Sequence, residues 1–143
     1  MIKGITHTVV YVLDQDRALR FYTEQLGFEV RADSTLDGFR WLTVGPQEQT
    51  DISIMIASPS PPMFSAEDGD AVKELVAKGV FCGGVVETSD CRATYEELRA
   101  KGVTFIQEPA DRPYGIEAVF RDDSGNWFSL TQSKRFAGQP QGG

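Results

Sequence analysis

The fold of this chain is decided by a pattern that occurs twice: HTVVYVLD at residues 7–14 with RALRFYTEQLGFEV at 17–30, and GGVVETSD at 83–90 with CRATYEELRAKGVTF at 91–105. Each copy opens seven residues before an aspartate, after which come a helical stretch, a glycine and a new apolar strand. Self-similarity at about half the chain length indicates two copies of one supersecondary unit, each of which needs the other to bury its apolar face. We therefore expect a cleft between the copies, with His7 opening one copy and Gly83 the other.

Apolar alternation and turn signals extend each copy into a longer module. The first copy is predicted as a strand at 5–12, a helix capped by Asp14 or Asp16 that ends near Leu26 before Gly27, and strands at 28–34, 39–44 and 52–57. The second is predicted as a strand at 83–87, a helix at 91–100 and strands at 103–107, 116–121 and 127–132. The predicted fold class is α+β, with two βαβββ modules in tandem.

The modules are expected to form one structural domain. Residues 1–58 make the first module and 81–133 the second, joined by a proline-rich linker with a short helix at 59–80. Within that linker, residues 59–70 are expected to be irregular and 71–78 helical. Residues 134–143 are predicted to be a flexible tail.

Length and charge exclude several classes of protein. A chain of 143 residues is long enough for a hydrophobic core without disulfides. Its net charge of −7 argues against nucleic acid and against an anionic membrane surface as partners. No apolar run approaches the ~20 residues of a membrane-spanning helix, and the N-terminal sequence does not resemble a signal peptide. Cys82 and Cys91 are expected to be reduced thiols, so the predicted location is the cytoplasm.

Two stretches, ITHTVVYVLDQDRALRFYTEQLGFEV at 5–30 and RPYGIEAVFRDDSGNWFSL at 112–130, resemble the vicinal oxygen chelate superfamily. That superfamily includes glyoxalases, bleomycin-resistance proteins and extradiol dioxygenases. The shared features are a histidine-led strand, an FY pair before LGF, and an aspartate-rich turn with GN before the last strand. The resemblance spans about residues 3–132 and implies two modules that each curl a four-stranded sheet around a cleft. It also implies a homodimer.

The enzymes of that superfamily hold a divalent metal with one residue from each of four strands, typically histidine or glutamine, glutamate, histidine and glutamate in turn. Carried onto this chain, these positions are His7, one of residues 53–55 where no carboxylate occurs, Gly83 and Ser129. A catalytic metal normally needs about three protein ligands, and His7 is the only histidine. We therefore predict no metal, no cofactor and no catalytic residue. An atypical site completed by Glu87 or Glu117 remains open.

Alternation along the strands assigns the side chains that face the expected cleft. The candidate ligand-binding residues are His7, Tyr11, Phe39, Trp41, Met55, Tyr114, Trp127 and Ser129. Aromatic walls with a few polar groups suit a flat, conjugated ligand. The same aromatic residues would also fill a dimer interface or pack on one another, and a single histidine on a strand is more often a hydrogen-bonded wall residue than a ligand or base.

Two functional hypotheses follow from the resemblance and the cleft. The first is a metal-independent protein that sequesters an aromatic antibiotic or similar natural product at the dimer interface, as metal-free bleomycin-resistance proteins do. The second is a glyoxalase-like lyase or isomerase, or a dioxygenase, with an atypical metal site or with His7 as general base. Met63 and Phe64, in the 59–70 linker, would serve as a lid or as a plain connector.

Overall fold

A computed structural model describes residues 1–134, so the predicted tail lies, apart from Lys134, outside the described residues. The described residues form two compact units: residues 1–81 with 123–126, and residues 82–122 with 127–134. The elements in chain order are β1 (His7–Tyr11), α1 (Gln15–Arg20), a π-helical turn (Phe21–Gln25), β2 (Glu29–Leu36), β3 (Phe39–Gly45), β4 (Ser53–Ala57), α2 (Ala66–Lys78), β5 (Cys82–Glu87), α3 (Cys91–Ala100), β6 (Thr104–Arg112), β7 (Gly115–Arg121) and β8 (Trp127–Ser133).

Each unit contains a four-stranded mixed sheet with the same connectivity. The first sheet has the order β1-β4-β3-β2, and the second has the order β5-β8-β7-β6. In both sheets the first strand of the module runs parallel to the last, and the other pairs are antiparallel. This confirms the predicted α+β class with two βαβββ modules.

The aspartates of the repeat cap the two corresponding helices. Asp14 accepts a hydrogen bond from the backbone nitrogen of Arg17 at 2.8 Å, and Asp90 accepts one from that of Ala93 at 3.0 Å. A side-chain oxygen at this position satisfies one of the backbone N–H groups that a helix N-terminus leaves without a partner. The spacing seen in the sequence is therefore the distance from each module's first strand to its helix cap.

The first helix differs from its predicted form. It is α-helical only to Arg20 and then widens into the π turn, where Leu26 N donates to Phe21 O at 3.1 Å across five residues. The turn still ends where the sequence indicated, because Gly27 follows with a φ of 77°. Such a change in helical period is invisible to a spacing argument over so few residues.

The linker between the modules is more regular than predicted, because α2 begins at Ala66 rather than at residue 71. Ser65 caps this helix by accepting from Asp68 N at 3.0 Å. Gly69, inside this helix, is required by packing, because a Cβ there would lie 2.2 Å from the Pro59 carbonyl oxygen. The prediction of irregular structure through residue 70 was therefore wrong for residues 66–70.

The other helix and strand boundaries differ from the predicted ones by fewer residues, with the exception of the end of β6. That strand continues to Arg112 instead of ending near residue 107, because two register shifts let it stay paired with β7.

The aspartate-rich turn after β7 belongs to the first unit, where Ser124 Oγ accepts from Leu13 N at 2.9 Å and Asn126 Nδ2 donates to Tyr11 O at 2.8 Å. Among residues 1–134, no helix has the length and apolarity required to cross a bilayer.

Candidate functional site

The sheet of the first unit has two faces of different character. Val10, Leu42, Val44 and Ile56 point to one face and are almost completely buried, which makes that face part of the core. The opposite face follows from strand alternation and from the pairing of His7 with Ser53 and of Tyr11 with Ala57. We call this second surface the aromatic face and define it by five of the predicted site residues: His7, Tyr11, Phe39, Trp41 and Met55.

Ring contacts order the aromatic face. The His7 and Trp41 rings lie 5.3 Å apart between centroids with their planes tilted by 58°. Tyr11 meets the ring of Phe64 edge to face at 5.4 Å. Both distances fall in the range that aromatic pairs prefer, so the rings hold one another in place. Phe64, which lies in the segment before α2, belongs to this cluster. The sequence predicted it only as a lid or connector residue.

His7 is an exposed residue at the start of β1. Its Nδ1 lies 2.8 Å from the Thr6 hydroxyl, and the residue is exposed. Met55 is buried where β4 pairs with both β1 and β3. Phe39 lines a cavity of about 30 Å³ together with Gln15 and Arg40, a volume that suits one water molecule but is too small for a drug-sized ligand.

The sheet of the second unit repeats this division into a core face and a second face. Ala118, Phe120, Phe128 and Leu130 form the buried face, where the rings of the two phenylalanines stack 5.3 Å apart. On the opposite face, the pairing of Thr131 with both Glu87 and Glu117 places a carboxylate on either side of β8. We call this the hydroxyl face and define it by Tyr114, Glu117, Trp127, Ser129 and Thr131.

Glu117 is the centre of the hydroxyl face. Tyr114 Oη donates to Glu117 Oε1 at 2.8 Å, and Ser129 Oγ donates to Glu117 Oε2 at 2.5 Å. Ser129 and Thr131 hydroxyls lie 2.9 Å apart. The hydrogen bond to the Glu117 carboxylate raises the pKa of Tyr114, because ionising the phenol would remove that bond and bring two negative charges together.

The eight predicted site residues therefore divide between the two units. His7, Tyr11, Phe39, Trp41 and Met55 share the aromatic face, whereas Tyr114, Trp127 and Ser129 share the hydroxyl face. Glu117, which joins Tyr114 to Ser129, was considered from the sequence only as a substitute metal ligand. Its role in this network had no sequence signal, because it depends on a cross-strand register.

The positions at which related enzymes bind metal are occupied differently here. Gly83 lies at a register shift, so Cys82 is the residue that pairs with Trp127. A Cβ built on Gly83 would lie 2.4 Å from the Phe128 ring and would therefore point toward the buried face. On β4, Ser53 Oγ accepts from Arg31 Nη1 at 3.1 Å.

Glu87, one of the two substitute ligands considered, is engaged with β8. Its Oε2 accepts from Ser133 N at 2.9 Å and from Ser133 Oγ at 3.2 Å. In the part of the chain that the structure describes, no three histidine, cysteine, aspartate or glutamate side chains are grouped so that they would hold a metal ion.

Comparisons with known proteins agree with this architecture. The family model of the glyoxalase/bleomycin resistance protein/dioxygenase superfamily matches residues 4–130. The crystal structure of UcmS2 is 52% identical and superimposes with a TM-score of 0.89, with 93% of this chain and all of that chain covered. TnmS3, described as an antibiotic binding protein from Streptomyces sp. CB03234, is 30% identical with a TM-score of 0.74, covering 93% of this chain and 98% of TnmS3.

A relative from Bacillus subtilis carries no description of activity. The uncharacterized protein YurT is 36% identical over 133 residues, which covers 90% of this chain and 98% of YurT. The match extends over nearly the full length of both proteins.

Proposed function

Because this chain belongs to the glyoxalase/bleomycin resistance protein/dioxygenase superfamily, we propose that it binds an aromatic antibiotic or a similar natural product without chemical turnover. The observation that carries this proposal is the aromatic face, where Trp41 lies against His7 and Tyr11 lies against Phe64. Ordered rings on a sheet surface give a planar ligand a large stacking area at low cost in side-chain entropy. The similarity to TnmS3, an antibiotic binding protein, supports the same class of ligand.

The assembly we propose is a homodimer with two equivalent sites at its interface. A twofold-symmetric pair is the most frequent assembly of soluble oligomers. Sedimentation at micromolar concentration should therefore give the mass of two chains, and a monomer would contradict this part of the proposal. The cytoplasm is the proposed location, supported by the free thiols of Cys82 and Cys91.

The test of ligand binding uses the two tryptophans as reporters. Titration with planar polycyclic antibiotics should quench the intrinsic fluorescence of Trp41 and Trp127. Stacking contacts on aromatic residues contribute ~1–3 kcal/mol each by truncation in nucleic-acid systems, and that range corresponds to roughly ten- to a hundredfold in affinity. Trp41→Ala should weaken binding by about this factor, whereas Trp41→Phe, which keeps a ring, should retain most of it.

The thermal midpoint of each variant separates a binding role from a structural role. If Trp41→Ala and Trp127→Ala both unfold at much lower temperature but keep their affinity, the tryptophans are structural and the proposal loses its support. Unchanged folding with weakened binding is the expected result.

Metal analysis distinguishes a binding protein from a glyoxalase-like lyase or a dioxygenase. We expect the purified protein to contain no stoichiometric transition metal, and chelator to leave its thermal midpoint unchanged. One metal ion per chain with His7 among its ligands would instead support an enzyme in which Glu87 or Glu117 completes an atypical site.

A further inference from the structure

We propose that the hydroxyl face binds a hydrogen-bond-donating group of the ligand, an ammonium or a hydroxyl, through the carboxylate of Glu117. This inference rests on the proposed function and specifies the chemistry of its ligand: an aromatic body that carries an N–H or O–H donor.

The protons of the network determine what this surface offers. Ser129 has one hydroxyl proton and donates it to Glu117, so the contact between Ser129 and Thr131 must be donated by Thr131. Tyr114 likewise uses its only proton on Glu117. The hydroxyl protons of the network are therefore all donated in the direction of the carboxylate. The network offers a ligand oxygen lone pairs, which accept hydrogen bonds.

Within the part of the chain that the structure describes, the charge of Glu117 is only weakly compensated by a cation. Arg112 approaches Oε1 only to 3.8 Å through its Nε, and its side chain is 40% exposed, whereas that of Glu117 is 17% exposed. An ion pair of this geometry is weak compared with a bidentate arginine–carboxylate contact. Glu87, on β5, also pairs with Thr131, from the side of β8 opposite to Glu117. It adds a second negative charge to the same face.

The carboxylate is also held in position before any ligand arrives. Each of its two oxygens accepts a hydrogen bond from a hydroxyl group, and these two bonds fix the side-chain rotamer. Each oxygen can still accept a hydrogen bond from a further donor. A group fixed in this way binds without paying further ordering entropy. It lies beside apolar surface, because Val85, which pairs with Ser129, is 71% exposed and Trp127 lies two residues from Ser129 on the same face.

An alternative role for Glu117 is purely structural, as an anchor for Tyr114 in the turn between β6 and β7. The two roles give different results with three probes that share a ring: 2-naphthylethylamine, 2-naphthaleneethanol and 2-propylnaphthalene. The first carries an ammonium group, the second a hydroxyl group and the third no hydrogen-bond donor, each at the end of a side chain of similar length. Affinities are measured by ligand-observed NMR titration.

The expected result is a preference for the two donor probes over 2-propylnaphthalene. Hydrogen bonds to charged groups correspond to about ten- to a hundredfold in affinity, and the ammonium should be preferred to the hydroxyl because both nearby carboxylates attract it. Glu117→Gln should remove most of this preference while leaving the affinity for 2-propylnaphthalene unchanged. Glu96→Gln, which removes an exposed charge from α3 of the same unit, is the matched control and should behave as the native protein.

If all three probes bind equally to native protein and to Glu117→Gln, the inference is wrong while the proposed function stands. If none of the probes binds at millimolar concentration, the proposed function fails and the inference fails with it. Should Glu117→Gln not fold, Glu87→Gln serves instead: this exposed residue should reduce the ammonium preference about two- to threefold, and an unchanged preference would refute the inference.

Discussion

His7 and Gly83 occupy the same place in the two repeats, seven residues before a capping aspartate, but their surroundings differ completely. His7 is exposed and lies against the Trp41 ring. Gly83 faces the buried Phe128 ring, which occupies the space that a side chain would need. The two modules therefore share the strand order and the helix caps that the fold requires, whereas the residue that opens each repeat differs in side chain and in surroundings.

The two sheets also differ in the chemistry of the face opposite the core. Unit one presents rings that contact other rings, whereas unit two presents a carboxylate surrounded by hydroxyl groups. A pair of identical modules would offer the same groups on both sheets.

The largest effect is expected from Gly83→Ala, the smallest change that gives position 83 a side chain. Its Cβ would meet the Phe128 ring at 2.4 Å, and that ring is 1% exposed and stacked on Phe120. Because this buried ring would have to shift against its neighbours, the substitution should destabilise the protein by about 2–3 kcal/mol, as overpacking of a core does. Urea denaturation measures this free energy of unfolding.

The matched change in the other repeat is His7→Ala. Since His7 is exposed, the free energy of unfolding should change by less than about 0.5 kcal/mol. Equal losses for the two variants would show that the difference between positions 7 and 83 is not one of packing.

The repeat made the fold predictable, because strand alternation and the capping aspartates are local signals. The α3 helix was predicted with its observed bounds, and the two-module topology followed from the order of elements. The π turn after Arg20 and the early start of α2 were not predictable in the same way. The first is a change of helical period, and the second depends on Gly69 fitting against Pro59, a tertiary contact.

The candidate site was predictable only in part, for a related reason. Alternation identifies which residues share a face with Trp41 or with Ser129, since that rule is local. It does not give the register between strands, and register is what brings Glu117 to Tyr114 and Ser129. The shift of register beside Gly83 was hidden for the same reason.

A second prediction concerns what the repeats share. Asp90→Ala should cost about 1 kcal/mol of stability, because it removes the hydrogen bond to Ala93 N at the start of α3. Asp14→Ala should act in the same direction, since Asp14 makes the equivalent bond at the start of α1. Chemical denaturation of both variants measures this. Loss of stability in one variant only would show that the two caps are not equivalent.

A smaller effect is expected from pH at the first cap. The hydrogen bond from Arg17 N, aided by the charges of Arg17 and Arg20, lowers the pKa of Asp14. A lowered pKa stabilises the folded state above the unfolded value of about 3.9, and this contribution is lost as the pH falls through the folded pKa. The stability difference between native protein and Asp14→Asn should therefore shrink between pH 5 and pH 2. A difference that stays constant over this range would contradict the assignment.

The smallest effect is a shift in one titration, and it tests whether the hydroxyl face is organised around charge. The Glu117 carboxylate raises the pKa of Tyr114, so this phenol should ionise above the ordinary tyrosine value of about 10. Glu117→Gln should return it toward that value, because the amide carries no charge, whereas Glu96→Gln should leave it unchanged. The measurement is the pH dependence of the tyrosine ring signals by NMR, with Tyr114→Phe assigning the signal. Because a raised pKa favours the protonated form in the folded state, the stability linked to Tyr114 is present below pH 10 and is lost as the pH rises through the folded pKa. A Tyr114 titration that is the same with glutamate or glutamine at position 117 would mean that the carboxylate does not control this face, and the contrast between the two sheets would then not include a difference in charge.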